Sequence, residues 1–211
     1  MDVDLVVPMK HPRDGKSRLR GAVEPEAHPG LVLALAADTL AAVTASAHVR
    51  RVVLVAAAPA AVAELRDLGV EVVAEPPEKT LNAAFRHGEA LLRADDPGAV
   101  VGALQADLPA LRAVDLAGAL AEADGRRAFV ADRQGTGTTL LLSAPGRPLD
   151  PRFGPGSARE HETSGATPLR GAFPTLRSDV DTPADLAHVR ALGVGKHTAA
   201  ELGGPRAELF T

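Results

Sequence analysis

Residues 100–109 read Val-Val-Gly-Ala-Leu-Gln-Ala-Asp-Leu-Pro. The stretch begins as the continuous apolar run of a strand buried on both faces and stops abruptly at Ala106-Asp107-Leu108-Pro109. A carboxylate therefore stands at the strand's carboxyl end. In open α/β sheets, loops and helix N-termini frame a ligand crevice along that edge. Taken alone, Asp107 reads more readily as a turn or N-cap residue ahead of a helix near Leu111.

The flanking chain sets this strand in an alternating pattern. Upstream, the spacing predicts a strand over 4–9, a helix over 31–45 with few charges, a strand over 51–57, a helix over 59–68 opened by Pro59, a strand over 70–74 and a helix from Thr80 to about Arg93. Downstream it predicts a helix over 114–123, strands over 128–132 and 139–143, and a short polar helix over 158–163 with Ser157 as its N-cap. Thr182, Pro183 and Asp185 then spell a capped helix start. Strands alternating with helices and joined by short connections imply a mostly parallel sheet with right-handed crossovers, flanked by helices. With 211 residues and no evident linker or repeat, the expectation is an α/β single domain spanning 1–211.

Composition narrows the function. There is no cysteine, which excludes disulfides, thiol nucleophiles and thiolate metal sites. A net charge of -4 argues against general binding to nucleic acid or anionic membrane, so any anion site is local. The start, MDVDLVV, is acidic where a signal peptide is basic, and the longest apolar run, residues 52–63, is short and contains Pro59. A cytoplasmic protein is expected.

Several segments carry candidate chemistry. The loop after the first strand gathers Lys10, Lys16, Arg18 and Arg20, enough charge to hold a polyphosphate. Gly15-Lys16-Ser17 does not complete a P-loop, because GxxxxGK[ST] needs glycine where Lys10 stands. Residues 135–140, GTGTTL, are not a dinucleotide fingerprint, since Leu140 falls at the third glycine and a strand follows. Their N–H and hydroxyl groups can still meet an anion, as can the helix start behind Gly154-Pro155-Gly156-Ser157. In Asp179-Val180-Asp181 an extended backbone puts both carboxylates on one face, where they repel unless a cation or solvent lies between them. Asp107 with this pair offers oxygen ligands alone, which favour Mg2+ or Mn2+ over zinc; no histidine pair has zinc spacing.

Taken in order, VPMK (7–10) with KSRL (16–19), LNAA (81–84), LQADLPAL (104–111), FVADRQGTGTTLL (129–141), PRFGPGS (151–157) and DVDTPADL (179–186) resemble the guanylyltransferases of deazaflavin coenzyme (F-420) biosynthesis. These are nucleotidyltransferases with a Rossmann-like, GT-A-like sheet, and the resemblance covers nearly the whole chain. It implies transfer of GMP from GTP to phosphoenolpyruvate or 2-phospho-L-lactate with release of pyrophosphate. It implies Asp107 as a metal ligand, with Asp179 or Asp181 as its partner. Thr138, Gly154 and Ser157 match positions holding the acceptor phosphate, Lys10, Lys16 and Arg18 the loop facing the triphosphate, and Asn82 the element near the nucleoside. The segment His11-Pro12-Arg13-Asp14-Gly15 departs from the small or apolar residues usual there. The abundance of alanine and arginine points to a GC-rich genome and hence a bacterial member using phosphoenolpyruvate.

What the chain lacks agrees with this chemistry. A phosphate monoester is already ionised at neutral pH, with a second pKa near about 6, and needs no serine, cysteine or histidine to activate it. Two other readings stay open: nucleotidyl transfer to a different acceptor, as in molybdenum-cofactor enzymes, and a non-catalytic nucleotide-binding protein.

Overall fold

The computed structural model describes residues 2–21 and 23–203. Strands β1 (Val3–Met9), β2 (Val49–Ala56), β3 (Glu71–Ala74), β4 (Val101–Leu104), β5 (Ala128–Ala131), β6 (Thr138–Leu142) and β7 (Thr167–Pro168) form one sheet in the order β3-β2-β1-β4-β6-β5-β7. Helices are α1 (His28–Thr44), α2 (Leu81–Asp95), α3 (Ala113–Ala123), α4 (Ser157–Thr163), α5 (Pro183–Leu192) and α6 (Lys196–Glu201).

The mostly parallel expectation holds with one exception. Strand β6 runs antiparallel to both its neighbours, β4 and β5. The cause is the length of residues 132–137, which is too short for the dozen or more residues a parallel crossover needs. Asp132 ties this turn shut by accepting the N–H groups of Thr136 and Gly137, both at 2.8 Å. The reversal has a geometric consequence: Thr138, the first residue of β6, lies on the edge where β1 and β4 end.

Strand alternation distributes the core over two faces. Val3, Leu5 and Val7 point toward α1 and α3, packing with Leu40, Val43, Leu116 and Leu120. Val6, Val53, Val55 and Val101 point the other way, toward Ala84, Phe85 and Leu92 of α2 and Ala158 of α4. Helix α2 sits unusually close to β1, because a Cβ on Gly88 would fall 2.4 Å from Val6 Cγ1. A third cluster joins Leu19, Leu31 and Leu35 to Val180, Leu186 and Val189, and so fastens the basic loop and α5 to α1.

Local sequence signals account for several helix starts. Thr80 Oγ1 accepts the Ala83 N–H at 3.2 Å, and Thr182 with Asp185 forms the anticipated capping box ahead of Pro183. Helix α1 begins earlier than expected, at His28, with Pro29 in its first turn. Residues 59–68 are a 3-10 segment kinked at Val62, whose φ of -125 is not helical. Ser157 is not an N-cap: Gly156 occupies that position at φ 75, and Ser157 is already helical. A glycine can adopt the left-handed turn that a serine adopts only at a cost. No helix among the described residues is long and apolar enough to cross a membrane.

Candidate active site

The carboxyl ends of β1 and β4 open into a cleft of about 630 Å³. Pro8, Met9 and Lys10 line it from β1, Gln105, Ala106 and Asp107 from β4, Lys16 and Arg18 from the basic loop, and Asp181 from the segment before α5. The last segment is held against β4's extension by the Val180 N–H, which donates to the Asp107 carbonyl at 3.1 Å. Val180 itself is buried; of the two carboxylates beside it, Asp181 is exposed and lines the cleft, whereas Asp179 is partly buried outside that lining.

Three charges meet here. The Lys16 ammonium is hydrogen-bonded to Asp107 Oδ2 and lies 2.5 Å from Asp181 Oδ1. Lys16 takes a left-handed backbone, φ 51 and ψ 45, at the start of a 3-10 turn over 17–19 that buried Leu19 anchors. A non-glycine residue in that region is strained by on the order of 1–2 kcal/mol. Here the strain coincides with aiming an ammonium at two carboxylates. Burial would depress the Lys16 pKa, but Asp107 and Asp181 outweigh it and hold the pKa above its ordinary value. Asp179 makes no contact with the ammonium. Desolvation, then the negative charges of Asp107 and Asp181, push its pKa up to about 7, against the opposing influence of Lys16.

The cluster suits a hard divalent cation. Asp107 Oδ1 is buried with no hydrogen-bond partner among the described residues, and a cation already sits between Asp107 and Asp181 in the form of Lys16. No group of three or more His, Asp or Glu among the described residues is close enough to hold a metal unaided. Asp107 and Asp181 offer two carboxylates, and a magnesium ion held by so few takes the rest of its shell from water and substrate phosphates.

The remaining expected residues divide. Lys10 and Arg18 are exposed and line the cleft, whereas Arg20 turns away and donates to the Arg13 carbonyl at 3.2 Å. Asn82 does not line the cleft; its amide is engaged in both directions by the Phe153 backbone, donating to O at 3.0 Å and accepting N–H at 2.8 Å. Its neighbours Thr80 and Leu81 line the cleft instead.

Thr138, Gly154 and Ser157 lie together, outside the lining of the main cleft. Ser157 Oγ donates to Thr138 Oγ1 at 3.3 Å, and both residues are buried. Gly154 is exposed at φ 149, and its N–H finds no backbone acceptor among the described residues. The start of α4 is not an open anion site. Its N–H groups are spent internally, Ser157 on Gly154 O, Ala158 on Thr136 O, and Arg159 and Glu160 on Gly156 O. Any anion there is met by side-chain hydroxyls and the glycine loop.

Sequence reasoning passed over His161, which is fully buried and bonded to Thr138, and Gln105, Glu75 and Lys79, which line the cleft. A usable signal existed for His161: it lies four residues after Ser157, on the same helical face.

Known proteins share this chain's sequence pattern and its fold. The family model described as "Guanylyl transferase CofC like" matches residues 3–203. The chain is 51% identical over 206 residues to the phosphoenolpyruvate guanylyltransferase of Geodermatophilus obscurus, covering 95% of this chain and 94% of that protein. It is 49% identical over 198 residues to the enzyme of the same name from Thermomonospora curvata, covering 93% and 86%. Among solved structures, 4-diphosphocytidyl-2C-methyl-D-erythritol synthase shares the fold, with a TM-score of 0.63 at 16% identity over 90% of this chain and 98% of that one. A family model that spans nearly every described residue, and relatives about half identical over most of the chain, lead to one conclusion: the chain belongs to the CofC-like guanylyltransferase family.

Proposed function

We propose that the protein transfers GMP from GTP to the phosphate of phosphoenolpyruvate and releases pyrophosphate, with the product passing into deazaflavin coenzyme formation. The observation that supports this reading is that a charged cluster and a pair of uncharged hydroxyls stand on one sheet edge. The Lys16-Asp107-Asp181 cluster suits a metal-bound triphosphate, and the uncharged Thr138–Ser157 hydroxyl pair suits a small phosphate ester. Relatives about half identical to this chain are named for phosphoenolpyruvate.

Asp107 and Asp181 are the residues offered to Mg2+, which when bound neutralises charge on the triphosphate and the leaving pyrophosphate. Lys10, Lys16 and Arg18 then face the β- and γ-phosphates as donors and counter-charges. The ionised acceptor phosphate attacks the α-phosphorus in line; the bond from that phosphorus to the bridging oxygen breaks, and pyrophosphate leaves with the electron pair. No protein group has to take a proton from the nucleophile. The chain's contribution is alignment and charge stabilisation.

The test is a pyrophosphate-release assay over GTP, ATP, CTP and UTP against phosphoenolpyruvate, 2-phospho-L-lactate and other phospho-acids, with mass spectrometry of the product. The expected outcome is a guanylylated phosphoenolpyruvate formed only with GTP. Preference for phospholactate overturns the acceptor assignment. Transfer to an unrelated acceptor, or binding of GTP without turnover, overturns the reaction.

A further inference from the structure

His161 is a fully buried imidazole, and its two nitrogens have different partners. Nε2 lies 2.9 Å from the backbone nitrogen of Arg152, and Nδ1 lies 2.9 Å from Thr138 Oγ1. A backbone N–H only donates, so Nε2 must carry its lone pair and act as acceptor. A neutral ring then has its proton on Nδ1, and Nδ1–H donates to Thr138. Burial first, then the positive charges of Arg127 and Arg152, lower the His161 pKa to about 4, with Asp150 opposing, so the ring is neutral near pH 7.

The proton inventory of the neighbouring hydroxyls follows. Thr138 and Ser157 each own one hydroxyl proton, and their oxygens lie 3.3 Å apart, so one of the two protons is used between them. Thr138 already accepts from the ring. Had the ring been the acceptor, it would have consumed a second hydroxyl proton and left the pair with none to give. With the ring as donor, one hydroxyl proton has no acceptor among the described residues. The pair is thereby held as a net donor, the polarity a dianionic phosphate requires and a ligand hydroxyl proton does not.

We propose that His161 is the positioning residue of the acceptor site: its Nδ1–H holds the Thr138–Ser157 pair as a hydrogen-bond donor toward the phosphate of the phospho-acid. Packing fixes the ring for this task. Phe153 meets it edge-on with centroids 4.9 Å apart and an interplanar angle of 72°, and Phe129 lies 6.0 Å away on centroids. Phe153 is in turn stacked on Phe85 at 4.4 Å and clamped by Asn82, so the Asn82 amide serves the acceptor site through this ring. The inference rests on the reading of Thr138 and Ser157 as acceptor-phosphate contacts.

Two substitutions separate the ring's two bonds. His161→Asn sets an amide near the Nδ1 position and can still donate to Thr138. His161→Gln sets one near Nε2, where it can accept the Arg152 N–H but leaves Thr138 without a donor. Steady-state kinetics of each full-length variant, with phosphoenolpyruvate and GTP varied in turn, should show the apparent KM for phosphoenolpyruvate about tenfold higher in His161→Gln, as expected for weakening one charge-assisted hydrogen bond. The KM for GTP should be unchanged, and His161→Asn should recover most of the loss. A merely structural role would move both KM values together, or neither, in both variants, and would overturn the proposal. Nitrogen-15 NMR of the wild-type protein supplies a readout independent of turnover: the resonance of His161 must report the Nδ1–H tautomer, and the Nε2–H form overturns the assignment. Thr138→Val, measured alongside, keeps the two levels distinct. If it leaves the phosphoenolpyruvate KM unchanged, the acceptor site lies elsewhere and this inference falls with it. If it raises that KM while His161→Gln does not, the acceptor site stands and the role of His161 alone is wrong.

Discussion

Lys16→Met tests the charge cluster directly. Methionine keeps the unbranched stem and the same left-handed backbone cost, so the change removes mainly the ammonium. Among the described residues, Asp107 then loses the only partner of Oδ2, while Oδ1 has none already. Breaking a buried ion pair by deleting one member costs about 3–5 kcal/mol. The Lys16 and Asp107 side chains are only 20% and 11% exposed, but Asp181 is 52% exposed and its charge is screened by water. The expected loss is therefore about 2 kcal/mol, which for a chain of this length lowers Tm by about 4–8 °C. Adding Asp107→Asn to Lys16→Met should recover most of that loss, because a neutral amide needs no counter-charge, giving a coupling of about 1–2 kcal/mol in the double-mutant cycle. Magnesium should raise the Tm of Lys16→Met more than that of the wild type, where the ammonium must first be displaced. Calorimetry of the four proteins with and without magnesium decides it. If Lys16→Met melts with the wild type and the two substitutions simply add, the cluster carries no such coupling.

Asp107→Asn in the otherwise wild-type chain should lower turnover by about a hundredfold or more at saturating magnesium, measured as pyrophosphate release, because the proposed metal ligand loses its charge. Asp181→Asn should shift the magnesium concentration needed for half-maximal rate. Asp179→Asn should instead raise Tm without magnesium, since it removes a carboxylate disfavoured by burial and by two like charges; matching effects of the two would refute the distinction. Stability should also depend on His161. Its pKa is about 4 when folded against an ordinary 6.5, so the unfolded chain takes up the proton first, and stability present above pH 6.5 is lost as pH falls toward 4. The full difference corresponds to about 3 kcal/mol. Urea midpoints between pH 7.5 and 4.5 should therefore converge for wild type and His161→Asn as pH falls, and parallel curves would contradict it.

Local pattern was sufficient for much of this protein. The buried run ending in Ala106-Asp107, the alternation of apolar strands with helices, and the Thr182-Pro183-Asp185 start of α5 are all short-range signals, written in neighbouring residues and read from them. The ordered motifs identified the family, because many weak local matches in one order are jointly specific. The residue types at the cleft were likewise legible, since polyphosphate chemistry needs lysine, arginine and carboxylate. Tertiary structure alone decided which of them meet. Lys16 reaches Asp107 and Asp181 across 91 and 165 positions of chain, and no local periodicity encodes such a pairing. It decided that Asp181, and not Asp179, holds the ammonium, through the pairing of Val180 with Asp107. It took Asn82 and Arg20 out of the cleft by giving their side chains backbone partners at hydrogen-bond distance. It turned Ser157 from a helix cap into a buried hydroxyl facing Thr138, and brought in His161 behind them. In each case the reason is the same. Propensity and periodicity act over a few residues, whereas the partner of a charge or a buried hydroxyl is set by the sheet order that folds distant segments onto one edge.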